Sequence, residues 1–464
     1  MRYGYHRDEL YFVVAGSHPA LGYPDQPPLV PLWSWAMNTL APGSLLVLRT
    51  PSAMIAATTT ALAALIAREL GGNSRAQVIA TACTACSGFA LAVAHLVSTT
   101  TPDLLSTTLL GWLAIRATLS GSGPCVLAAG VVAGLGSEAK PQVGLVAVVM
   151  AAAVLAVGPR PLLRSWWAAG AVLAGSALIA PYLVWQAQHG WPQVTVAHNI
   201  AGSQEGGRAG FIPFQLVMVS PLLVPVWIAG LCAPFRRRGW RQLRFVTVTY
   251  IALALLYLAG NGHAYYLASL YPTLLGLGAI PTAQWTLRRP RRTAMLGGAT
   301  LLSAMFSSLI ALPLLPERDL QGSIVIALNS AQGDTVGWPQ FVRTVSRAWE
   351  QIPVSERAHT AIFTANYGEA GAIDLLPASP PLPRAYSAHN GFSEWGAPPP
   401  ADTYALLTGY GNPAAAAPEF KGCRILAVVN NRVGLANQEQ GLPIMLCQTT
   451  AAWKVLWPRL RHYD

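Results

Sequence analysis

The sequence predicts a mainly α, polytopic transmembrane helical bundle followed by a small C-terminal α/β domain outside the membrane. Three observations carry this. First, only 11% of the 464 residues are charged while 53% are hydrophobic, with a mean hydropathy of +0.40; soluble domains carry roughly 25% charged residues. Second, apolar runs long enough to cross a hydrocarbon core, which takes about 20 residues per helix, recur up to residue 314. Third, the composition changes from about residue 315, where twelve acidic and eleven basic residues share the remaining chain.

The apolar runs fall at 52–69, 76–97, 104–119, 125–137, 142–157, 166–186, 212–232, 243–259, 264–280 and 293–314, about ten spans. Residues 28–42 are apolar but broken by prolines and read as a re-entrant or interfacial piece. The loops alternate in charge. One set holds Arg68, Arg75, Arg116, Arg160, Arg164, the cluster Arg236 to Arg244 and the cluster Arg288 to Arg292. The other set is poor in basic residues, with Lys140 and Arg208 among the few. Lys and Arg accumulate in cytoplasmic loops, so the first set lies inside. The net charge of +11 is then topological. No basic patch alternates with stacking aromatics, which excludes nucleic acid as a partner.

This topology puts six of the seven acidic residues before residue 315 on the outer face: Asp8, Glu9, Asp25, Asp103, Glu138 and Glu205. Glu205, in a Gly-rich loop, reads as a solvated carboxylate. Asp8, Glu9 and Asp103 are flanked by apolar sequence, where an ionisable group is costly and commonly functional. The topology also leaves the N-terminus outside with no helix to carry it across, so the sequence reads as shortened or misassigned at its start.

The expected division is a membrane domain over 1–314, with a first outer loop at 1–50 and spans from 52, then an extracytoplasmic α/β domain over 315–464. In the latter, "HTAIFTAN", "TYALLTGY" and "RILAVVNN" are strand-like and "YGEAGAIDLL" is helix-like. Cys83 and Cys86 sit in an apolar run with no second ligand pair and read as packing residues, not a metal site. Cys423 and Cys447 lie in the tail, a disulfide candidate if the tail is outside the cytoplasm.

The outer face thus gathers Asp8, Glu9, Asp25, Asp103 and Lys140 with His263, Tyr265 and Tyr266 of "GNGHAYYLASLYP". Carboxylates serve as general bases and a lysine stabilises an anionic leaving group. Polar groups at a membrane boundary suit a substrate that is half lipid and half water-soluble, such as a lipid-linked phosphosugar.

The stretch "GYHRDELYFVVAGSHPALGYPDQPPLVPL" resembles the first outer loop of glycosyltransferase family 39 proteins, which include protein O-mannosyltransferases and the aminoarabinose transferase of lipid A modification. The likeness continues in order through "TTPDLLS", "GLGSEAKPQVGL", "HAYYLASLYPTLLGLGA", "YGEAGAIDLL" and "SAHNGFSEWG" and is nearest to the uncharacterised bacterial branch. It implies a C-type glycosyltransferase architecture in the plasma membrane. The donor would be a polyprenyl-phosphate-linked sugar, with no nucleotide sugar at the site and a protein, lipid or glycan as acceptor. Asp8 matches the acid proposed as catalytic base, and Glu9 its partner. Asp103 matches the second-loop acid that organises donor phosphate or a metal; no cofactor is otherwise implied, and Asp103 is the one metal candidate. Lys140 of "AKPQ" matches a phosphate contact, with His263, Tyr265 and Tyr266 near the donor. Arg7, Tyr23 and Asp25 support the loop. A single displacement would invert the anomeric centre.

Two departures stand out. The family's first transmembrane helix has no counterpart here, and Gln26 stands where many relatives have His. Two other readings remain open, a transporter or flippase and an inactive truncated relative. A transporter predicts charges buried mid-span and inverted repeats with broken helices, whereas these charges gather at one face and a sizeable outer domain follows the spans.

Overall fold

The computed structural model describes residues 3–202, 208–416 and 418–464; Glu205 lies outside them. The helices α1 (Arg7–Gly16), α2 (Leu29–Leu40), α3 (Leu45–Glu69), α4 (Ser74–Ala85), α5 (Gly88–Ala94), α6 (Thr100–Ser120), α7 (Gly123–Ser137), α8 (Gln142–Val157), α9 (Trp166–Gln188) and α10 (Pro192–Gly202) come first. Then follow α11 (Arg208–Val219), α12 (Val224–Arg236), α13 (Arg244–Ala259), α14 (Tyr271–Thr286) and α15 (Pro290–Ala311). The tail holds α16 (Ile324–Leu328), α17 (Trp338–Glu350), α18 (Val354–Arg357), β1 (Thr360–Thr364), α19 (Tyr367–Leu375), β2 (Ala385–Ser387), β3 (Tyr404–Thr408), β4 (Phe420–Val428), β5 (Pro443–Thr449) and α20 (Trp453–Leu460).

The chain forms two compact units. One comprises Met1–Leu48, Trp191–Val196 and Pro313–Asp464; the other comprises Arg49–Gly190 and Ala197–Leu312. The first outer loop therefore shares a unit with the tail that follows the spans.

The second unit is all helical. Among the described residues four helices are long and apolar enough to cross a membrane: Leu45–Glu69, Trp166–Gln188, Arg238–Ala259 and Pro290–Ala311. Two bent pairs raise this to six. The stretch expected at 76–97 is one of them, bent by 62° between α4 and α5. There the Ser87 hydroxyl accepts from the Ala90 N–H, capping a new helix inside an apolar run. The stretch expected at 212–232 bends by 82°, at Ser220, which takes φ +81° before Pro221. Small residues let helices meet closely: a Cβ on Gly278 would lie 1.9 Å from the Val226 carbonyl oxygen, and one on Gly230 1.9 Å from that of Leu274. Backbone contact of this kind is how helices associate where lipid removes the hydrophobic incentive.

The first unit holds a five-stranded sheet in the order β2-β1-β3-β5-β4. β1 runs parallel to β2 and β3, while β5 is antiparallel to both β3 and β4. The three expected strands and the expected helix are β1, β3, β4 and α19. Cys423 of β4 and Cys447 of β5 are joined by a disulfide.

In the same unit α1 begins with a reciprocal cap. The His6 ring accepts from the Asp8 N–H and the Glu9 carboxylate accepts from the His6 N–H. The helix packs on α2 through Gly16, where a Cβ would lie 2.2 Å from the Pro31 carbonyl oxygen. It packs on α19 through Gly371, whose Cβ would meet the Leu10 backbone at 3.0 Å. The glycines of "YGEAG" thus admit the helix that carries Asp8.

Candidate active site

In the first unit the chemistry gathers at the start of α1. Asp8 Oδ1 accepts the Tyr367 hydroxyl at 2.9 Å. That hydroxyl accepts in turn from Arg7, at 3.0 Å from one terminal nitrogen and 3.3 Å from Nε. Arg7 also donates to Gln438 Oε1 at 2.7 Å. Asp8 Oδ2 has no hydrogen bond among the described residues. The nearest ring nitrogen is His6 Nδ1 at 3.6 Å, but that nitrogen already accepts the Asp8 N–H at 3.2 Å. The imidazole hydrogen therefore sits on Nε2, 3.7 Å from Asp334 Oδ2. The Asp8 side chain is 35% exposed.

Its neighbours differ. Glu9 is fully buried and closes the helix cap. Asp25 accepts the Tyr11 hydroxyl at 2.7 Å, and Tyr11 accepts the Gly391 N–H at 3.0 Å. Burial outweighs that hydrogen bond and pushes the Asp25 carboxyl up to about 7. A Cβ at Gly391 would lie 2.6 Å from the Tyr11 oxygen, so a larger residue there would displace that hydroxyl. Tyr23 is buried and donates to the Ala15 carbonyl at 2.8 Å, tying the loop back onto α1. Gln26 is also buried.

In the second unit five expected residues from three separate stretches come together. Asp103, in the first turn of α6, is fully buried. Oδ1 accepts the Thr107 hydroxyl at 2.9 Å, and Oδ2 accepts the Ser269 hydroxyl at 2.7 Å. Lys140, between α7 and α8, holds Nζ 3.7 Å from Asp103 Oδ2 and donates to the Thr100 hydroxyl at 3.2 Å. The ammonium also lies over the rings of Tyr265 and Tyr266, 5.2 and 5.0 Å from their centroids. His263 stacks on Tyr265 at 5.1 Å, and Gln142 donates to the Tyr266 carbonyl at 2.6 Å. This is a buried cation held by one carboxylate and two aromatic faces, 12% of its side chain exposed.

Both oxygens of Asp103 are engaged, and no three His, Cys, Asp or Glu residues converge to hold a metal among the described residues.

Sequence reasoning placed Asp8, Asp103, Lys140, His263, Tyr265 and Tyr266 but not Tyr367, His389 or Asp334. The first two lie in "YGEAGAIDLL" and "SAHNGFSEWG", stretches that read as structural or acceptor-facing, with no residue of theirs singled out. The role of Tyr367 emerges from contacts across 359 and 360 positions, with Asp8 and Arg7, while His389 pairs with Asp464, 75 positions on.

Together these features define a multi-pass membrane protein with a C-type glycosyltransferase fold. Residues 25–185 match the family model for dolichyl-phosphate-mannose-protein mannosyltransferase, a stretch that includes Asp25, Asp103 and Lys140. The fold is similar to that of ArnT from Cupriavidus metallidurans. The apo structure superposes with a TM-score of 0.58 at 13% identity, covering 96% of this chain and 93% of that one. ArnT bound to undecaprenyl phosphate gives a TM-score of 0.56 with the same identity and coverage. A search of curated protein sequences returns no significant match.

Proposed function

We propose that the protein transfers a sugar from a polyprenyl-phosphate donor to a hydroxyl acceptor at the outer face of the plasma membrane, where the tail also lies. The observation that carries this is the asymmetry of Asp8, whose Oδ1 is anchored by Tyr367 while Oδ2 has no hydrogen bond among the described residues, on a side chain that is 35% exposed. A general base needs a fixed lone pair within hydrogen-bond reach of its proton. The acceptor proton passes to Oδ2 as the acceptor oxygen bonds to the anomeric carbon. The bond from that carbon to the phosphate oxygen breaks, and polyprenyl phosphate leaves with the electron pair. One displacement inverts the centre.

Lys140 is the phosphate contact in this reading. Asp103 and the tyrosine faces hold its ammonium in one place, and His263 braces Tyr265. Preorganised charge of this kind stabilises a developing anion without reorganisation. Glu9 acts on the helix start, and Arg7, Tyr23 and Asp25 on the loop. ArnT, captured with undecaprenyl phosphate, supports the donor class.

The test supplies membranes containing the protein with radiolabelled mannose, glucose or aminoarabinose on undecaprenyl phosphate. The wild type should transfer one of them, and Asp8→Asn should lower the rate by about 10²–10⁴-fold. Lys140→Met should weaken binding of undecaprenyl phosphate itself. Transfer of none of the three, or an Asp8→Asn variant as fast as the wild type, would overturn the proposal.

A further inference from the structure

We infer that Tyr367 is a positioning residue for Asp8, so that the segment after the last membrane helix supplies part of the catalytic base. The inference rests on the proposed role of Asp8 and adds a residue to it.

Tyr367 opens α19, whose start is fixed by Asn366, the acceptor for the Glu369 N–H at 2.9 Å. The ring is buried, 4.7 Å from Tyr11 and 4.8 Å from His389. His389 is itself buried and paired with Asp464. The phenol therefore has little freedom to move. Its hydrogen has one place to go: Arg7 offers only donors, so the hydroxyl accepts from Arg7 and gives its hydrogen to Asp8 Oδ1. A hydrogen bond to a carboxylate is roughly twice as strong as a neutral one. This bond selects one rotamer of Asp8 and leaves Oδ2 as the open oxygen.

Packing alone does not account for the residue. A phenylalanine would fill the same space between Tyr11 and His389 without burying a hydroxyl. The cost of that buried hydroxyl is offset by Arg7 and Asp8, the two charged groups at the start of α1.

The experiment measures steady-state transfer by the full-length protein, using the undecaprenyl-phosphate sugar that the wild type turns over. Tyr367→Phe keeps the ring and removes the hydroxyl. We expect kcat to fall about 10- to 100-fold, the scale of a small misplacement of a reacting group. KM for the lipid donor should stay within about twofold, with little change in thermal midpoint, because neither donor contacts nor ring packing are touched. A second variant, Arg7→Gln, removes the donors that aim the phenol hydrogen and should give a smaller loss. The double variant should be slowed by less than the product of the two single effects, because Arg7 acts largely through the phenol even though its Nε also lies 3.7 Å from Asp8 Oδ1.

Tyr367→Phe with kcat near the wild type, while Asp8→Asn is inactive, overturns the inference and leaves the Asp8 proposal standing. A double variant slowed by the product of the two single effects also overturns it. An active Asp8→Asn removes both readings together.

Discussion

Glu369→Gln should make folding of the tail less sensitive to pH across the neutral range. Glu369 lies on α19 and is 1% exposed. Oε2 accepts the Thr408 hydroxyl of β3 at 2.9 Å, while Oε1 has no partner among the described residues. Burial, and then the charge of Glu439, push the carboxyl from its ordinary 4.5 up to about 8. The folded chain thus keeps this proton up to about pH 8, whereas the unfolded chain releases it near 4.5. Between those values the unfolded state binds fewer protons, so stability falls as pH rises. Below 4.5 both states are protonated and the effect vanishes; above about 8 it levels off. At about 1.36 kcal/mol per unit, the interval from 4.5 to pH 7 amounts to roughly 3 kcal/mol. The assay is hydrogen exchange of peptides covering β1, β3 and α19, corrected for intrinsic rates, between about pH 5 and 8. Wild-type protection should decline through this range, and the glutamine variant should decline much less. Glu439, also pushed up to about 7 by burial, leaves both proteins a common residual slope, so the difference between them is the measured quantity. Parallel curves would refute the assignment of the pH dependence to Glu369.

Glu9→Gln preserves a capping acceptor for the His6 N–H and should leave sugar transfer within about threefold of wild type, because the capping box accepts Glu or Gln. A loss matching that of Asp8→Asn would place Glu9 in the chemistry. Gly278→Val puts side-chain atoms where the Val226 carbonyl oxygen already stands, 1.9 Å from the Cβ position. It should lower the thermal midpoint of the detergent-solubilised protein, with overpacking costing about 1–3 kcal/mol or more. Cys423→Ser with Cys447→Ser opens a loop whose ends are 24 residues apart. It should cost the tail about 3 kcal/mol, read by denaturant unfolding, and abolish the mobility difference between reduced and unreduced protein on a gel.

The helices were legible because a long apolar run is rarely anything but a helix, but of the ten expected spans only four are single helices of membrane length among the described residues, six with the two bent pairs. The bends at Ser87 and Ser220 were not legible. Hydropathy averages over a window, and a serine that caps a new helix inside an apolar run scarcely alters the mean. In the tail, β1, β3 and β4 show as apolar or β-branched runs. β2 is three residues long beside "PPLP", and β5 starts on Pro443, which reads as a strand boundary although β5 is a central strand. The Lys140 cluster was legible residue by residue, because Lys140, Asp103 and the tyrosines each interrupt apolar sequence. That they would meet was implied only by the resemblance. The partnership of Asp8 with Tyr367 is a tertiary fact, and no local pattern near "YGEAG" announces that its tyrosine donates to a carboxylate at the other end of the chain.

The dense ionisable cluster that opens the sequence shows why composition stops short of mechanism. Asp8, Glu9 and Asp25 sit within eighteen positions of one loop, and any rule based on residue type treats them alike. The fold separates them by what remains of each carboxylate after its neighbours are satisfied. Glu9 is buried and turned back on the His6 N–H, so it fixes where α1 begins. Asp25 is bound to Tyr11, and burial holds its proton close to neutrality, which suits a brace between the loop and Gly391. In the second unit Asp103 has both oxygens engaged and serves as the anchor of a lysine. Asp8 combines an Oδ1 anchored by Tyr367 with an Oδ2 that has no hydrogen bond among the described residues, on a side chain that is 35% exposed. A base must be held still and yet have a lone pair left to use, and that is the combination the start of α1 and the tyrosine of α19 produce.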